Sequence, residues 1–199
     1  MRAQLLASLK PLDACDEDSR GGGDHDLNPD RVPDQNTKAA AVLVPIVAHD
    51  TGPTIVLTVR TQHLRAHAGQ VSFPGGRTDE EDASPIATAL REAHEEVGLT
   101  PSNMEVLGLL DNYQTGTNYL VTPVVAWVDP HIDLTPNENE VARIFEIPLD
   151  FVLNPDNHGI ESRSHQGRTR RYYVFRYQEF FIWGATAGML MNLYRRLRP

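Results

Sequence analysis

Three glutamates, Glu92, Glu95 and Glu96, crowd the short stretch Arg91-Glu92-Ala93-His94-Glu95-Glu96-Val97-Gly98-Leu99. On a helix they project together. Glu92 and Glu96 are then like charges at i,i+4, which costs about 0.2–0.5 kcal/mol, in a helix half whose dipole end disfavours anions. Arg91 relieves this only in part, through an i,i+4 pair with Glu95. A glutamate cluster is most often a solvated face. A local violation that something else must offset is nevertheless what a functional site looks like, and divalent cations, which prefer hard oxygen ligands, would turn the repulsion into coordination.

The elements that position these acids are marked in the sequence. Ser84-Pro85 is a helix start, a Ser N-cap followed by Pro where a missing N–H costs nothing. Gly98 sits where a left-handed residue would stop the helix, with Leu99 available for the accompanying apolar contact. The spacing predicts that Ile86, Leu90, Ala93 and Val97 form the buried face and that the glutamates lie on another. Upstream, Phe73-Pro74-Gly75-Gly76 reads as a strand end running into a Gly-Gly turn, which lets the backbone come close to the helix or to an ion.

Together the residues read GGRTDEEDASPIATALREAHEEVGL, and this resembles the Nudix box. Arg91 to Leu99 matches it position by position. The first half departs: from Gly76, five residues lead to Asp82, where Glu is usual, and eight rather than seven precede Arg91. That spacing is similar to the coenzyme A pyrophosphatase branch of the family. So is the run Leu57-Thr58-Val59-Arg60-Thr61, then Arg65, then Gly69-Gln70-Val71-Ser72-Phe73-Pro74-Gly75-Gly76.

The resemblance implies an α+β fold, a Nudix-type α/β/α sandwich with a mixed β-sheet. It also implies hydrolysis of the pyrophosphate bond of coenzyme A or a derivative, giving adenosine 3′,5′-bisphosphate and 4′-phosphopantetheine, with Mg²⁺ or Mn²⁺ as cofactor. Carried over by residue, Glu92 and Glu96 are the principal metal ligands, Glu95 is a further ligand or the base, Arg91 orients the glutamates, and the Gly76 carbonyl adds a ligand. Glu140 is a second candidate for base or ligand, against an ordinary solvated acid. Arg60 and Arg65 are candidates for phosphate contacts, or for pairing with an acid under the turn. His67 and Gln70 share their loop. Tyr113 or Tyr119 is a candidate for stacking on adenine, although aromatics on strands are more often core. Alternatives are a Nudix enzyme for ADP-ribose or NADH and, from another class, a non-catalytic nucleotide-sensing module, in which a metal glutamate would be expected to be missing.

The rest of the chain bounds these readings. Its 199 residues suit one domain, and its net charge of −9 is uneven. Eight carboxylates against Arg20 and Arg31 give the segment 13–34 a charge of −6, leaving −3 elsewhere. Such acidity speaks against nucleic acid as a partner. The longest apolar run, Ala39 to Ala48, is about half of the roughly 20 residues needed to span a bilayer. The lone cysteine, Cys15, and an N-terminus without a secretory pattern lead to a cytoplasmic expectation. The organisation expected is a helix over 1–12 from Leu5, Leu6, Leu9 and Leu12, an acidic mobile loop over 13–37 too polar to bury anything, and the hydrolase domain over 38–199. The chain from Ile182 to Arg198 reads as a final helix. The arginine-rich hairpin Arg163 to Arg176 reads as an anion site, a surface for a homodimer, or a solvated edge that discourages strand pairing.

Overall fold

The computed structural model describes residues 1–14, 21–32, 35–64, 66–165 and 167–198. The elements are α1 (Arg2–Ser8), β1 (Lys38–Val47), β2 (Thr54–Arg60), β3 (Val71–Ser72), β4 (Gly75–Arg77), α2 (Pro85–Val97), β5 (Met104–Leu109), β6 (Tyr113–Gln114), β7 (Tyr119–Val128), β8 (Val141–Pro148), α3 (Leu149–Leu153), β9 (Gly159–His165), β10 (Arg168–Tyr177), β11 (Phe180–Trp183) and α4 (Gly184–Leu197).

Strand β1 is apolar at almost every position because both of its faces are covered. Ala41, Leu43 and Val47 join the cluster under α2, while Val44 and Ile46 join the larger cluster that holds Leu190 and Leu193 of α4, Leu149 and Val152 of α3 and Leu5 of α1. β1 runs parallel to β7 from Lys38 opposite Tyr119 to Val47 opposite Val128. The other pairings between the named strands of this sheet are antiparallel, so the sheet is mixed, with the order β3-β2-β1-β7-β5 and with β8 on β2, β4 on β1 and β6 on β7. Helices on its two faces make the α/β/α sandwich, and β9, β10 and β11 form a smaller antiparallel sheet.

Away from β7, β1 has one remaining edge, and two strands share it. β4 pairs at Ala40–Val42 and β2 at Ile46–Val47. Between them the Leu43 N–H donates to the Pro74 carbonyl at 2.8 Å. The edge therefore splits where the Gly-Gly turn arrives, above α2.

Three sequence expectations are corrected. The buried side of α2 is turned toward Ala89, Ala93, Glu96 and Val97, with Ile86 and Leu90 only partly covered at its flank. Small Ala89 and Ala93 let the helix lie close on the sheet, and this carries Glu96 inward. Leu5 and Leu9 are buried, but Leu6 lies on the outer side of α1 and Leu12 is exposed beyond its end, where the helix stops at Ser8 and Lys10 pairs with Leu109 as a strand does. At the other terminus, Ile182 and Trp183 belong to β11, and α4 begins at Gly184.

The acidic segment is not a free loop throughout. Residues 15–20, 33 and 34 lie outside the described residues, but 21–32 are docked. Gly23 forms a parallel bridge to Gln114, and a Cβ at Gly21 would collide with the Asn112 carbonyl. Asp24 accepts from the Tyr113 hydroxyl at 2.8 Å and from the Gly116 N–H at 2.6 Å. Asn28, 4% exposed, exchanges 2.9 Å hydrogen bonds with the backbone of Arg171. A polar segment becomes buriable once its polar groups find partners.

Candidate active site

Helix α2 is set as its sequence indicates: the Ser84 hydroxyl accepts from the Ala87 N–H at 3.2 Å, and Gly98 takes φ 74°. A Cβ on Gly76 would run into the Glu92 carboxylate, and one on Gly75 (φ 156°) into the β1 backbone at Ala41 and Val42. Both glycines are required by close approach. They bring the turn directly over the helix.

The three glutamates do not stand together. The Glu96 side chain is 2% exposed and Glu92 16%, whereas Glu95 is 53% exposed and reaches back only to Arg91 Nη1 at 3.3 Å. The Gly75 N–H donates to Glu96 Oε2 at 3.3 Å, and Arg60 Nη1 stands 3.6 Å from Glu96 Oε1. Desolvation pushes Glu96 up to about 7, with Arg60 opposing, and it raises Glu92 as well, with Arg91 opposing. The negative charge of Glu140 adds to the rise at both. The structure thus brings Glu140 into the field of Glu92 and Glu96.

Arg91 is the organiser of the outer side. It holds Asp82 with two bonds, Nε to Oδ1 at 3.0 Å and Nη2 to Oδ2 at 2.8 Å, and it also donates to the Arg77 carbonyl at 3.1 Å and to Glu92 Oε1 at 2.9 Å. The fork holds the Asp82 carboxyl far below the usual carboxylate range. Asp82 is thereby a partner of Arg91 across the longer spacer between them.

The loop from Arg60 to Gln70 closes on itself: Gly69 N–H donates to the Arg60 carbonyl at 3.1 Å, and Arg60 N–H to the Gln70 carbonyl at 2.9 Å. Within it, exposed His67 (φ 57°) meets Gln70 Oε1 through Nδ1 at 2.8 Å. Arg65 lies outside the described residues. Sequence reasoning missed the way this loop meets Glu140. The buried Thr61 donates its N–H to the Glu140 carbonyl at 2.9 Å, and Thr61 Oγ1 and His63 Nε2 both reach the Asn139 carbonyl, at 3.2 and 2.9 Å. The Asn137 N–H in turn donates to the Glu96 carbonyl at 2.9 Å. No spacing in the sequence announces a contact across so many residues.

Neither tyrosine offers an open stacking face. Tyr113 is buried against Gly188 of α4, and the Arg77 guanidinium lies over Tyr119, 5.3 Å from its ring centre, with Nε donating to its hydroxyl at 2.6 Å. The basic hairpin is partly neutralised, Arg170 by Asp30 and Arg176 by Glu161.

Among the described residues no three His, Cys, Asp or Glu side chains form a ready-made metal cluster. The donors that do converge, two desolvated carboxylates beside the backbone at Gly75 and Gly76, nonetheless fit a hard divalent ion such as Mg²⁺. That ion is commonly bound through one or two carboxylates, with waters and substrate phosphates completing its shell.

The family model for the NUDIX domain matches residues 37–165. The chain is 44% identical over 158 residues to the uncharacterized Nudix hydrolase NudL of Escherichia coli strain K12, covering 79% of this chain and 82% of that one. The NudL protein of Shigella boydii serotype 18 is matched to the same extent. A solved MutT/nudix family protein from Enterococcus faecalis superposes with a TM-score of 0.52 at 13% identity, covering 84% of this chain and 64% of that one, a likeness of fold. The fold and the glutamate-bearing helix under a Gly-Gly turn are those of a Nudix domain, and the chain belongs to the Nudix family. It is a Nudix hydrolase of nucleoside diphosphate derivatives, and such enzymes generally use a divalent ion such as Mg²⁺ or Mn²⁺. No helix among the described residues is long and apolar enough to cross a membrane.

Proposed function

We propose that the chain hydrolyses the diphosphate bridge of coenzyme A or a coenzyme A derivative, releasing adenosine 3′,5′-bisphosphate and 4′-phosphopantetheine. The observation that carries this reading is the loop from Arg60 to Gln70, whose motif resembles the coenzyme A branch. It is anchored at one end beside Glu96 and along its length to the turn that bears Glu140.

In this reading Glu92, Glu96 and the Gly76 carbonyl would hold the divalent ion, which when bound would supply positive charge to the bridge and lower the pKa of a water. Arg91, fixed by Asp82, keeps the Glu92 carboxylate under Gly76. Glu140 accepts the proton of the attacking water. Its charge is felt at both ligand carboxylates, whereas Glu95 is turned out to Arg91 and serves that arginine's position. Arg60 and Arg65 contact substrate phosphates, Arg65 the 3′-phosphate, with His67 and Gln70 shaping the loop that carries them. Partial burial of the Glu92–Glu96 pair lowers the effective dielectric where charge develops, which strengthens each of these interactions.

The test is a substrate panel with Mg²⁺: coenzyme A, its disulfide and an acyl derivative, beside ADP-ribose and NADH. Phosphopantetheine release at the highest kcat/KM is expected from the coenzyme A group. Preferential cleavage of ADP-ribose or NADH overturns the substrate reading while leaving the hydrolase. A further arm uses R65A, which is expected to raise KM more for coenzyme A than for dephospho-coenzyme A.

A further inference from the structure

We infer that the Arg60 guanidinium is the resident counter-ion of Glu96 when no divalent ion is bound, and that metal binding displaces it toward the phosphates of the substrate. The inference rests on the proposed reading of Glu92 and Glu96 as ligands. It adds an exchange of cations at one carboxylate.

Arg60 closes β2 immediately after the irregularity in its pairing with β8, between Val59 and Arg60. Its backbone is fixed on both sides by Gln70 and Gly69, so only the side chain is free to change place. That side chain is held loosely. Nη1 lies 3.6 Å from Glu96 Oε1, within ion-pair range but beyond a normal hydrogen bond, and the buried Nε has no hydrogen-bond partner among the described residues. Guanidinium–carboxylate pairs built for permanence are bidentate, as Arg91 and Asp82 are at 2.8 and 3.0 Å. Arg60 supplies charge to Glu96 without the matching geometry.

A carboxylate as buried as Glu96 needs a cation nearby, and its one backbone donor, Gly75 N–H at 3.3 Å, is long. A divalent ion would bring more charge at shorter range to the same oxygens, and two cations cannot both sit there. The one with no hydrogen bond to lose would leave. Released, Arg60 presents a planar fork with an unused Nε–H, a geometry that suits a phosphate. Arg60 would thus answer both of the earlier readings in turn, first pairing with an acid under the turn and then contacting phosphate.

The experiment measures Mn²⁺ affinity by electron paramagnetic resonance at pH 8.5, without substrate, for metal-free wild type, R60K, R60Q and E96Q. Removing the competing charge is expected to tighten Mn²⁺ binding about tenfold in R60Q, with R60K near wild type. Affinity in R60Q equal to or weaker than wild type overturns the exchange and leaves Arg60 as a brace for Glu96. If E96Q binds Mn²⁺ as tightly as wild type, the ligand reading fails and the exchange falls with it. A second measurement needs no variant at this position: the arginine Nε–H resonances of wild-type protein titrated with Mg²⁺. The Arg60 signal is expected to move on metal binding, and a stationary signal counts against displacement.

Discussion

Two arginine–carboxylate pairs bracket the glutamates of α2: Arg91 grips Asp82 with two short hydrogen bonds at the rim, while Arg60 faces the buried Glu96 across 3.6 Å without one. The gripped acid is held far below the usual carboxylate range, whereas the other is pushed up to about 7 by desolvation that its arginine only partly opposes. In the proposed reading, the difference separates scaffold from metal ligand. A carboxylate engaged by a fork and a backbone N–H, as Asp82 is by Arg91 and Asp79, has little acceptor capacity left for an ion, and one that is buried and undersaturated has a standing demand for positive charge.

The largest effect expected from breaking this contrast is at Glu96. E96Q should lower kcat on the order of 10²–10³-fold, as loss of a preorganised charge-stabilising group does, and should not lower the melting temperature of the metal-free protein at pH 8.5, because a desolvated charge has been removed. Steady-state kinetics and calorimetry on the same preparation check both parts; a destabilised E96Q would mean that Glu96 is scaffold after all. Next is D82N, which leaves Arg91 without its fork and lets Glu92 drift. Metal affinity and turnover should fall about 10- to 100-fold, the usual cost of losing a group that orients a ligand.

A pH series sharpens the comparison without mutation. Glu96 ionises near 7 in the folded protein against an ordinary 4.5, so the stability it contributes is whole below about 4.5 and is lost as pH rises through 7. The metal-free melting temperature should therefore fall between pH 6 and 8.5, and the rise caused by Mg²⁺ should be greater at 8.5 than at 6. Equal Mg²⁺ shifts at both pH values would break the link between this acid and the ion. E95Q, removing only a 3.3 Å contact to Arg91, should change kcat by a few-fold at most. Outside the site altogether, N28A should destabilise by about 1–3 kcal/mol through the orphaned Arg171 backbone while leaving kcat unchanged, as paired denaturation and kinetic measurements would register.

The sequence was legible where signals are local. Ser84 and Gly98 mark both ends of α2, because caps depend on neighbours a few residues away. It was misleading where the environment is made by distant chain. Taking Ile86 and Leu90 as the buried face hid the fact that Ala89 and Ala93 permit the closest approach, and so hid the burial of Glu96. Asn28 sat in a run of Gly, Asp and Pro that looked unburiable, yet its partner is Arg171, far along the chain. Thr61 and His63 likewise acquire meaning only when the Asn139 carbonyl arrives.

The parallel pairing of β1 with β7 has a consequence for synthesis. Everything between Val47 and Tyr119, including the Gly-Gly turn and the whole of α2, lies inside the loop which that pairing closes. Long-range closure of this kind is slow relative to helix formation. A ribosome-bound chain that has already emerged through Leu99 carries every glutamate of α2 but neither the β7 neighbour of β1 nor the Glu140 turn. The sheet under α2, and with it the burial of Glu96, is therefore completed only once the C-terminal half has been made.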